Sequence, residues 1–167
     1  MKRAAAAALV LGLAACGGEE EKRPASSAPK PTATTGEPKG SLTNLAAKPR
    51  IPKPGGAPPR RLGVKDVVPG KGKAAKAGDS VTVQYVGVTH RTGKQFDASW
   101  DRGEPFTFDL GTGMVIPGWD EGLEGMKEGG RRLLSIPPEQ AYGSEGSPPD
   151  IGPNEALVFV IDLKRVR

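Results

Sequence analysis

The chain has one cysteine and one histidine among its 167 residues, Cys16 and His90. A single cysteine excludes an intramolecular disulfide. Because the one histidine lies at a predicted hairpin turn and no cysteine lies in the second half of the chain, no plausible set of residues remains for a His/Cys metal site or for Ser-His or Cys-His catalysis. No GxxxxGK[ST] phosphate-binding loop occurs, and the GTG at residues 111–113 is too short for a dinucleotide fingerprint, so we interpret it as a turn. We therefore expect no metal and no cofactor.

Aromatic residues are absent from the first half of the chain. All eight lie between Tyr85 and Phe159, whereas nine of the seventeen prolines lie between Pro24 and Pro59. A segment of Gly, Pro, Ala, Ser, Thr, Lys and Glu cannot bury enough apolar area to offset the entropy of ordering. We predict that residues 16–61 form a disordered tether and that residues 62–167 form the one folded domain.

The positive charge of the chain comes from this aromatic-poor part. The net charge is +5 overall, yet residues 62–167 hold 13 basic and 15 acidic residues. A slightly acidic domain does not predict nucleic-acid binding. The basic tether is either solvated or rests on anionic lipid head groups.

Near its start the chain has a short apolar run at residues 4–15, preceded by Lys2 and Arg3. Twelve residues are too few for a transmembrane helix, which needs roughly 20, but they suit a secretory signal peptide at residues 1–15. The following LAACG at residues 13–17 resembles the lipobox of bacterial lipoproteins, which implies lipidation of Cys16. The alternative is an ordinary signal peptide with an incidental cysteine.

The lipobox resemblance implies a lipid-anchored protein of the cell envelope. Gly17 after the cysteine resembles outer-membrane sorting, so we expect the periplasmic side of the outer membrane in a Gram-negative host. In any other host we expect the outer face of the cytoplasmic membrane.

Hydrophobic patterning predicts a domain of strands with one helix. The VTVQY at residues 81–85 alternates apolar and polar residues, as a half-buried strand does. Further strands are predicted at residues 94–97, 106–110, 132–136 and 156–166, most with one buried side. Residues 118–126 place Trp119, Leu123 and Met126 on one helical stripe. The predicted class is α+β: a twisted antiparallel sheet packed against one short α-helix and preceded by the tether.

Two polar features have competing interpretations. Asp97 and Asp101 have the residue types of a glycosidase pair, but a four-residue spacing at a hairpin end is also common by chance. Arg131 and Arg132 either flank a strand or contact a partner. His90 is interpreted as a solvated turn residue.

Six segments in order resemble the FKBP-type peptidyl-prolyl isomerases over essentially all of residues 62–167. They are VTVQYVG (81–87), GKQFDAS (93–99), PFTF (105–108), VIPGW (115–119), AYG (141–143) and LVF (157–159). The resemblance implies a half-barrel sheet around one short helix. It also implies cis-trans isomerisation of peptide bonds before proline, in proline-containing polypeptide substrates.

The same resemblance implies an aromatic substrate pocket. The residues assigned to catalysis are Tyr85, Asp97, Ile116, Tyr142 and Phe159. The residues assigned to substrate binding are Phe96, Arg102, Phe106, Val115 and Trp119. The Ile116 N–H and the Tyr142 hydroxyl would donate to substrate carbonyls, and Trp119 would form the floor. Asp97 and Arg102 either act directly or form a structural ion pair that orders Tyr85.

One departure from the family pattern lies in the rim loop at residues 143–153. An apolar residue is expected near Asp150 and often a histidine near Ser147, so substrate preference and the affinity for FK506-like macrolides are in doubt. The chain has neither a large inserted flap nor a long dimerisation helix, which favours a monomer. Two other functions stay open: a non-catalytic proline-binding or chaperone module tethered to the membrane, and a carrier of lipids or small ligands.

Overall fold

The computed structural model describes residues 41–167, which contain six strands, two short α-helices and one 3₁₀ turn. In chain order they are β1 (Gly63–Val68), β2 (Ser80–Thr89), β3 (Gln95–Ala98), α1 (Ser99–Arg102), β4 (Phe106–Asp109), α2 (Pro117–Leu123), β5 (Arg131–Ile136), the 3₁₀ turn (Pro138–Gln140) and β6 (Leu157–Val166). The predicted signal peptide at residues 1–15 and the predicted lipidation site Cys16 lie outside the described residues. No helix within residues 41–167 is long and apolar enough to cross a bilayer.

All six strands belong to one antiparallel sheet in the order β1-β5-β6-β2-β3, with β4 also paired to β2. β4 pairs with the start of β2 and β3 with its end, so α1 divides one edge of the sheet into two short strands. The sheet partly encloses α2 and the main apolar cluster. The predicted class, an antiparallel sheet around one short helix, is confirmed.

Two glycines allow α2 to lie directly on the sheet. A Cβ atom at Gly118 would lie 2.5 Å from Cγ2 of Ile136, and one at Gly122 would lie 2.8 Å from Cδ1 of Leu134. Any larger residue at either position would force these side chains on β5 to move, so the two glycines allow the close approach of helix and sheet. This close packing leaves Trp119 only 4% exposed, against the concave face of the sheet.

The helix is shorter than the predicted span of residues 118–126. It ends at Leu123 because Glu124 has an extended backbone and Gly125 has a φ of +72°. Met126 is nevertheless only 1% exposed. Burial of the third residue of the stripe therefore comes from the turn and not from the helix.

β2 and β6 are buried on both faces over most of their length, whereas one buried side was predicted for most strands. On the outer face a second apolar cluster contains Val86, Val88, Ala98 and Val158. Residues 41–53, which we call the strap, lie against this face, where Ile51 packs on the cluster.

The strap belongs to the segment predicted as a tether through residue 61. Its composition is as poor in aromatic residues as the rest of that segment, but the apolar surface that it contacts is supplied by the sheet. The domain limits at residues 15, 61 and 62 stay predictions.

Candidate functional site

A cavity of about 390 Å³ opens between α2, the sheet and the loops beside them. It is lined by Tyr85, Phe96, Asp97, Phe106, Gly113, Met114, Val115, Ile116, Trp119, Tyr142 and Phe159. Nine of the ten residues that the family resemblance assigns to catalysis or substrate binding are therefore brought together around one space, and the tenth, Arg102, does not line it. Gly113 and Met114 were missed, although Met114 directly precedes the recognised VIPGW segment and is 64% exposed.

Three buried rings form the base of the cavity. The Trp119 ring from α2 lies 5.0 Å from the Tyr85 ring and 5.2 Å from the Phe159 ring, both edge to face. Edge-to-face pairs at this distance contribute about 0.5–1.5 kcal/mol beyond area burial. Because Tyr85 and Phe159 stand on the hydrogen-bonded neighbours β2 and β6, the sheet fixes the base of the cavity.

Gly87 leaves space for two phenylalanine rings that line the cavity. It pairs with Phe159 across β2 and β6, and a Cβ atom there would lie 2.7 Å from the rings of both Phe159 and Phe96. These two rings meet edge to face at 5.5 Å. The glycine in VTVQYVG is therefore needed for close approach of the side chains.

Polar groups at the cavity edge form a connected set. The Tyr85 hydroxyl donates to the carboxylate of Asp97, and Arg102 donates both to Asp97 and, over 2.9 Å, to the Tyr85 hydroxyl. Asp97 lines the cavity, whereas Arg102 stands behind Tyr85 and does not. The ion pair that orders Tyr85 therefore exists, with Asp97 at the cavity surface.

This arrangement keeps Tyr85 protonated. Burial, followed by its hydrogen bond to Asp97, raises the pKa of Tyr85 to about 12 against a smaller opposing effect of Arg102. Hydrogen bonds to Tyr85 and Asp97 raise the pKa of Arg102 as well. The hydroxyl thus stays a neutral donor, and its orientation is fixed by two charged neighbours.

Two further donors face the cavity without a partner in the described part of the chain. Ile116 caps α2, and its carbonyl accepts the Trp119 N–H at 2.8 Å, but no hydrogen bond from its own N–H is found within residues 41–167. The Tyr142 hydroxyl makes none there either, and the side chain is 40% exposed. Burial and the charge of Asp97 raise the pKa of Tyr142, so it too remains a donor.

The loop before Ile116 is held by α2. Both oxygens of Asp120 accept backbone N–H groups, from Gly111 at 2.8 Å and from Gly113 at 3.0 Å. The predicted turn at residues 111–113 is thereby tied to the first turn of the helix. The sequence gives no sign of this contact, which joins residues seven and nine positions apart.

The glycosidase alternative gains no support. Asp97 bonds Tyr85 and Arg102, whereas Asp101 bonds Lys48 and Gln95. The two carboxylates therefore have different hydrogen-bond partners. Among residues 41–167 no group of three or more His, Cys, Asp and Glu side chains could hold a metal ion.

The rim loop is closed on itself. Ser147 and Ile151 exchange backbone hydrogen bonds of 2.9 and 3.0 Å, and the Lys94 ammonium pairs with Asp150 at 3.1 Å. Ile151 is 4% exposed and joins the main apolar cluster. Asp150 is therefore on the outside of the loop, whereas its neighbour Ile151 points into the domain.

Comparison with known proteins identifies the class that this fold and cavity define. The family model of the FKBP-type peptidyl-prolyl cis-trans isomerases matches residues 71–164, more than half of the chain. The chain therefore belongs to the FKBP-type peptidyl-prolyl cis-trans isomerase family.

Individual relatives agree with this assignment. An FK506-binding protein of Streptomyces anulatus is 53% identical over 120 residues, 71% of this chain and 97% of the relative. A probable FK506-binding protein of Corynebacterium glutamicum is 50% identical over 116 residues, 70% of this chain and 96% of the relative.

Two crystal structures are also similar to this chain. FkpA from Escherichia coli has a TM-score of 0.58 and 49% identity, over 64% of this chain and 48% of that one. AtFKBP13 has a TM-score of 0.59 and 39% identity, over 64% of this chain and 93% of that one.

Proposed function

We propose that the aromatic cavity is where this isomerase twists the peptide bond before proline, without a covalent intermediate. Amide resonance creates a barrier of about 18–20 kcal/mol and a charge-separated planar ground state. Twisting the C–N bond reduces that charge separation. A cavity walled by Tyr85, Trp119 and Phe159 is less favourable to the planar amide than to the twisted one.

Unpartnered donors at the edge of the cavity support this mechanism. In the proposal the Ile116 N–H and the Tyr142 hydroxyl donate to substrate carbonyls on either side of the prolyl ring, which packs on Trp119. If each hydrogen bond strengthens by about 1.4 kcal/mol in the twisted state, the two together accelerate isomerisation roughly 100-fold. Asp97 and Arg102 hold Tyr85 in place beside the ring.

The location of the chemistry is tested by a pair of substitutions on one strand. Phe159 and Val158 are 3% and 4% exposed, but Phe159 faces the cavity and Val158 faces the outer cluster. We expect Phe159→Ala to lower kcat/KM on a proline tetrapeptide at least tenfold more than Val158→Ala does. Equal losses in the two variants, with both still folded by circular dichroism, would place the reaction elsewhere.

We further propose that the cavity binds FK506-like macrolides, as the names of the FK506-binding proteins from Streptomyces anulatus and Corynebacterium glutamicum say of those relatives. The apolar walls support this, whereas the polar rim at Ser147 and Asp150 is expected to weaken the affinity. Competitive inhibition of the isomerase by FK506 supports the proposal. Binding that leaves turnover unchanged, or no binding at all, contradicts it.

The proposed setting is the cell envelope, where the enzyme assists folding of exported proteins. It rests on the signal-like residues 1–15 and on the lipobox resemblance at Cys16. Acyl chains contribute about 0.8 kcal/mol per buried CH₂ group, so a multiply acylated cysteine anchors stably. In a bacterium fed labelled palmitate, the wild type should carry label and sediment with membranes, whereas Cys16→Ser should do neither. Label on both proteins would overturn the assignment.

A rival function is a tethered module that holds a proline-containing partner without turnover. The presence of Tyr85, Asp97, Ile116, Trp119, Tyr142 and Phe159 together favours the enzyme, because we expect a binder without turnover to have lost some of them. Peptide binding without acceleration would favour the rival.

We also propose a monomer, which light scattering of the purified chain would contradict by showing a stable dimer.

A further inference from the structure

The side chain of Arg131 on β5 is completely buried, although Arg131 was predicted to flank a strand. Its Nε and Nη2 donate to the Asp162 carboxylate on β6, at 2.5 and 2.7 Å. A buried ion pair of this kind is stable only if its remaining polar atoms are also satisfied.

The strap provides that satisfaction. Arg131 Nη1 donates to the carbonyls of Ser41 and Leu42, at 3.2 and 3.1 Å, and Nη2 donates to that of Ala47 at 3.1 Å. With the two bonds to Asp162, all five N–H donors of the guanidinium are used. Residues 41–47 therefore wrap the end of a buried arginine, and the family match at residues 71–164 does not include them.

The second half of the strap runs along the outer face of the sheet toward the site. Pro49 is buried and Ile51 packs on the outer apolar cluster. Between the two anchored halves, the Lys48 ammonium lies 2.5 Å from the Asp101 carboxylate.

Asp101 is also joined to the strand that carries Asp97. Its second oxygen accepts a 2.7 Å hydrogen bond from Gln95 Nε2. Gln95 begins β3, two residues before Asp97, and Asp101 lies in α1 beside Arg102. Hydrogen bonds from Lys48 and then Gln95 lower the pKa of Asp101, so the carboxylate stays charged.

We propose that the strap is part of the catalytic unit and that Lys48, through Asp101, positions Asp97 and Arg102 around Tyr85. Asp101 ties β3 to α1, and Lys48 fixes Asp101 to a segment anchored on Arg131. Lys48 and Asp101 are positioning residues and do not touch the substrate. The inference rests on the proposed reaction in the cavity.

Its first test is a double-mutant cycle on kcat/KM in the full chain. Because the ion pair is exposed, Lys48→Gln and Asp101→Asn should each lower kcat/KM by only ~2–5-fold. The kcat/KM of the double variant should be no lower than that of the less active single variant. Lys48→Arg, which keeps the positive charge, should have the kcat/KM of the wild type. The control is Lys65→Gln, at an exposed lysine of β1 that lies outside the strap and has no ion pair among the described residues, and it should have no effect.

Either of two results would overturn the positioning role. Additive losses in the double variant would show that Lys48 and Asp101 act independently. Unchanged kcat/KM in all variants with a lowered Tm would show that the strap only stabilises the fold.

A second test examines docking of the strap without reference to activity. Ile51→Asp places a carboxylate against the outer cluster and should lower Tm of the full chain by roughly 4–8 °C. The control Ala57→Asp, which places a carboxylate at an exposed position, should leave Tm unaltered. Equal Tm values for the two variants would show that the strap does not dock. If the wild-type chain does not accelerate isomerisation, both the proposed function and the positioning role are wrong. The comparison of Tm values still shows whether the strap docks on the sheet.

Discussion

Protonation of Tyr85 gives a quantitative test of the polar set at the cavity edge. Burial and the bond to Asp97 raise the pKa of Tyr85 from an ordinary 10 to about 12. The folded protein therefore holds this proton more tightly than the unfolded chain does. The resulting stabilisation is complete below pH 10 and is lost as pH rises from 10 to 12.

The magnitude follows from the two pKa values of Tyr85. A pKa higher by two in the folded state corresponds to about 2.7 kcal/mol, since each pKa unit is 1.36 kcal/mol. Half of this, about 1.4 kcal/mol, is lost by pH 11. Tyr85 is only 7% exposed, so solvent screening reduces the figure little.

The assay is urea unfolding of wild type and Tyr85→Phe at pH 9 and pH 11. Other titrations are common to both proteins, so the free energy of unfolding of the wild type should fall by about 1.4 kcal/mol more than that of the variant. Equal falls in the two proteins would refute the reasoning. They would mean that the hydroxyl is hydrated and not held by Asp97.

Three substitutions test other parts of the fold and site. Gly87→Ala should displace both phenylalanine rings beside it, destabilise the protein by about 1–3 kcal/mol and reduce kcat/KM. The control is Gly63→Ala, where the added Cβ makes only ordinary contacts. It should change neither the unfolding free energy in urea nor kcat/KM. Arg132→Met should cost roughly 1–3 kcal/mol of unfolding free energy, because the carbonyls of Gly122 and Glu124 lose their donor while the half-exposed partner Asp66 can be hydrated. An equal loss in Arg165→Met, at an exposed position, would contradict this. Asp120→Ala should lower kcat several-fold with little change in Tm, since it frees the turn before Ile116, and unchanged kcat would show that the loop is held by other contacts.

Much of the sheet could be predicted because its signals are local. The alternating VTVQY and the hairpin at Thr92-Gly93 correspond to β2 and its pairing with β3. Leu157 and Phe159 share the concave face of β6, as alternation implies. β1 was missed because four of its six residues are exposed, which leaves no alternation to detect.

Long-range contacts could not be predicted from pattern alone. The association of Arg131 with Ser41 spans 90 positions, and a segment without aromatic residues gives no local sign that a sheet will cover it. The cavity itself was anticipated only because six segments resembled a known family, since each ring alone is typical of a core. Met114 and Asp120 escaped because they act through loop geometry.

The central claim is that the full chain catalyses prolyl isomerisation. The most direct test follows the cis-trans exchange of a proline tetrapeptide by NMR. The uncatalysed reaction takes tens to hundreds of seconds. The account predicts an exchange rate that rises in proportion to the protein concentration, with a rate for the bound peptide roughly 100-fold or more above the uncatalysed one, and a strong reduction in Phe159→Ala. A folded wild-type chain that binds the peptide and leaves the exchange rate unchanged would contradict it.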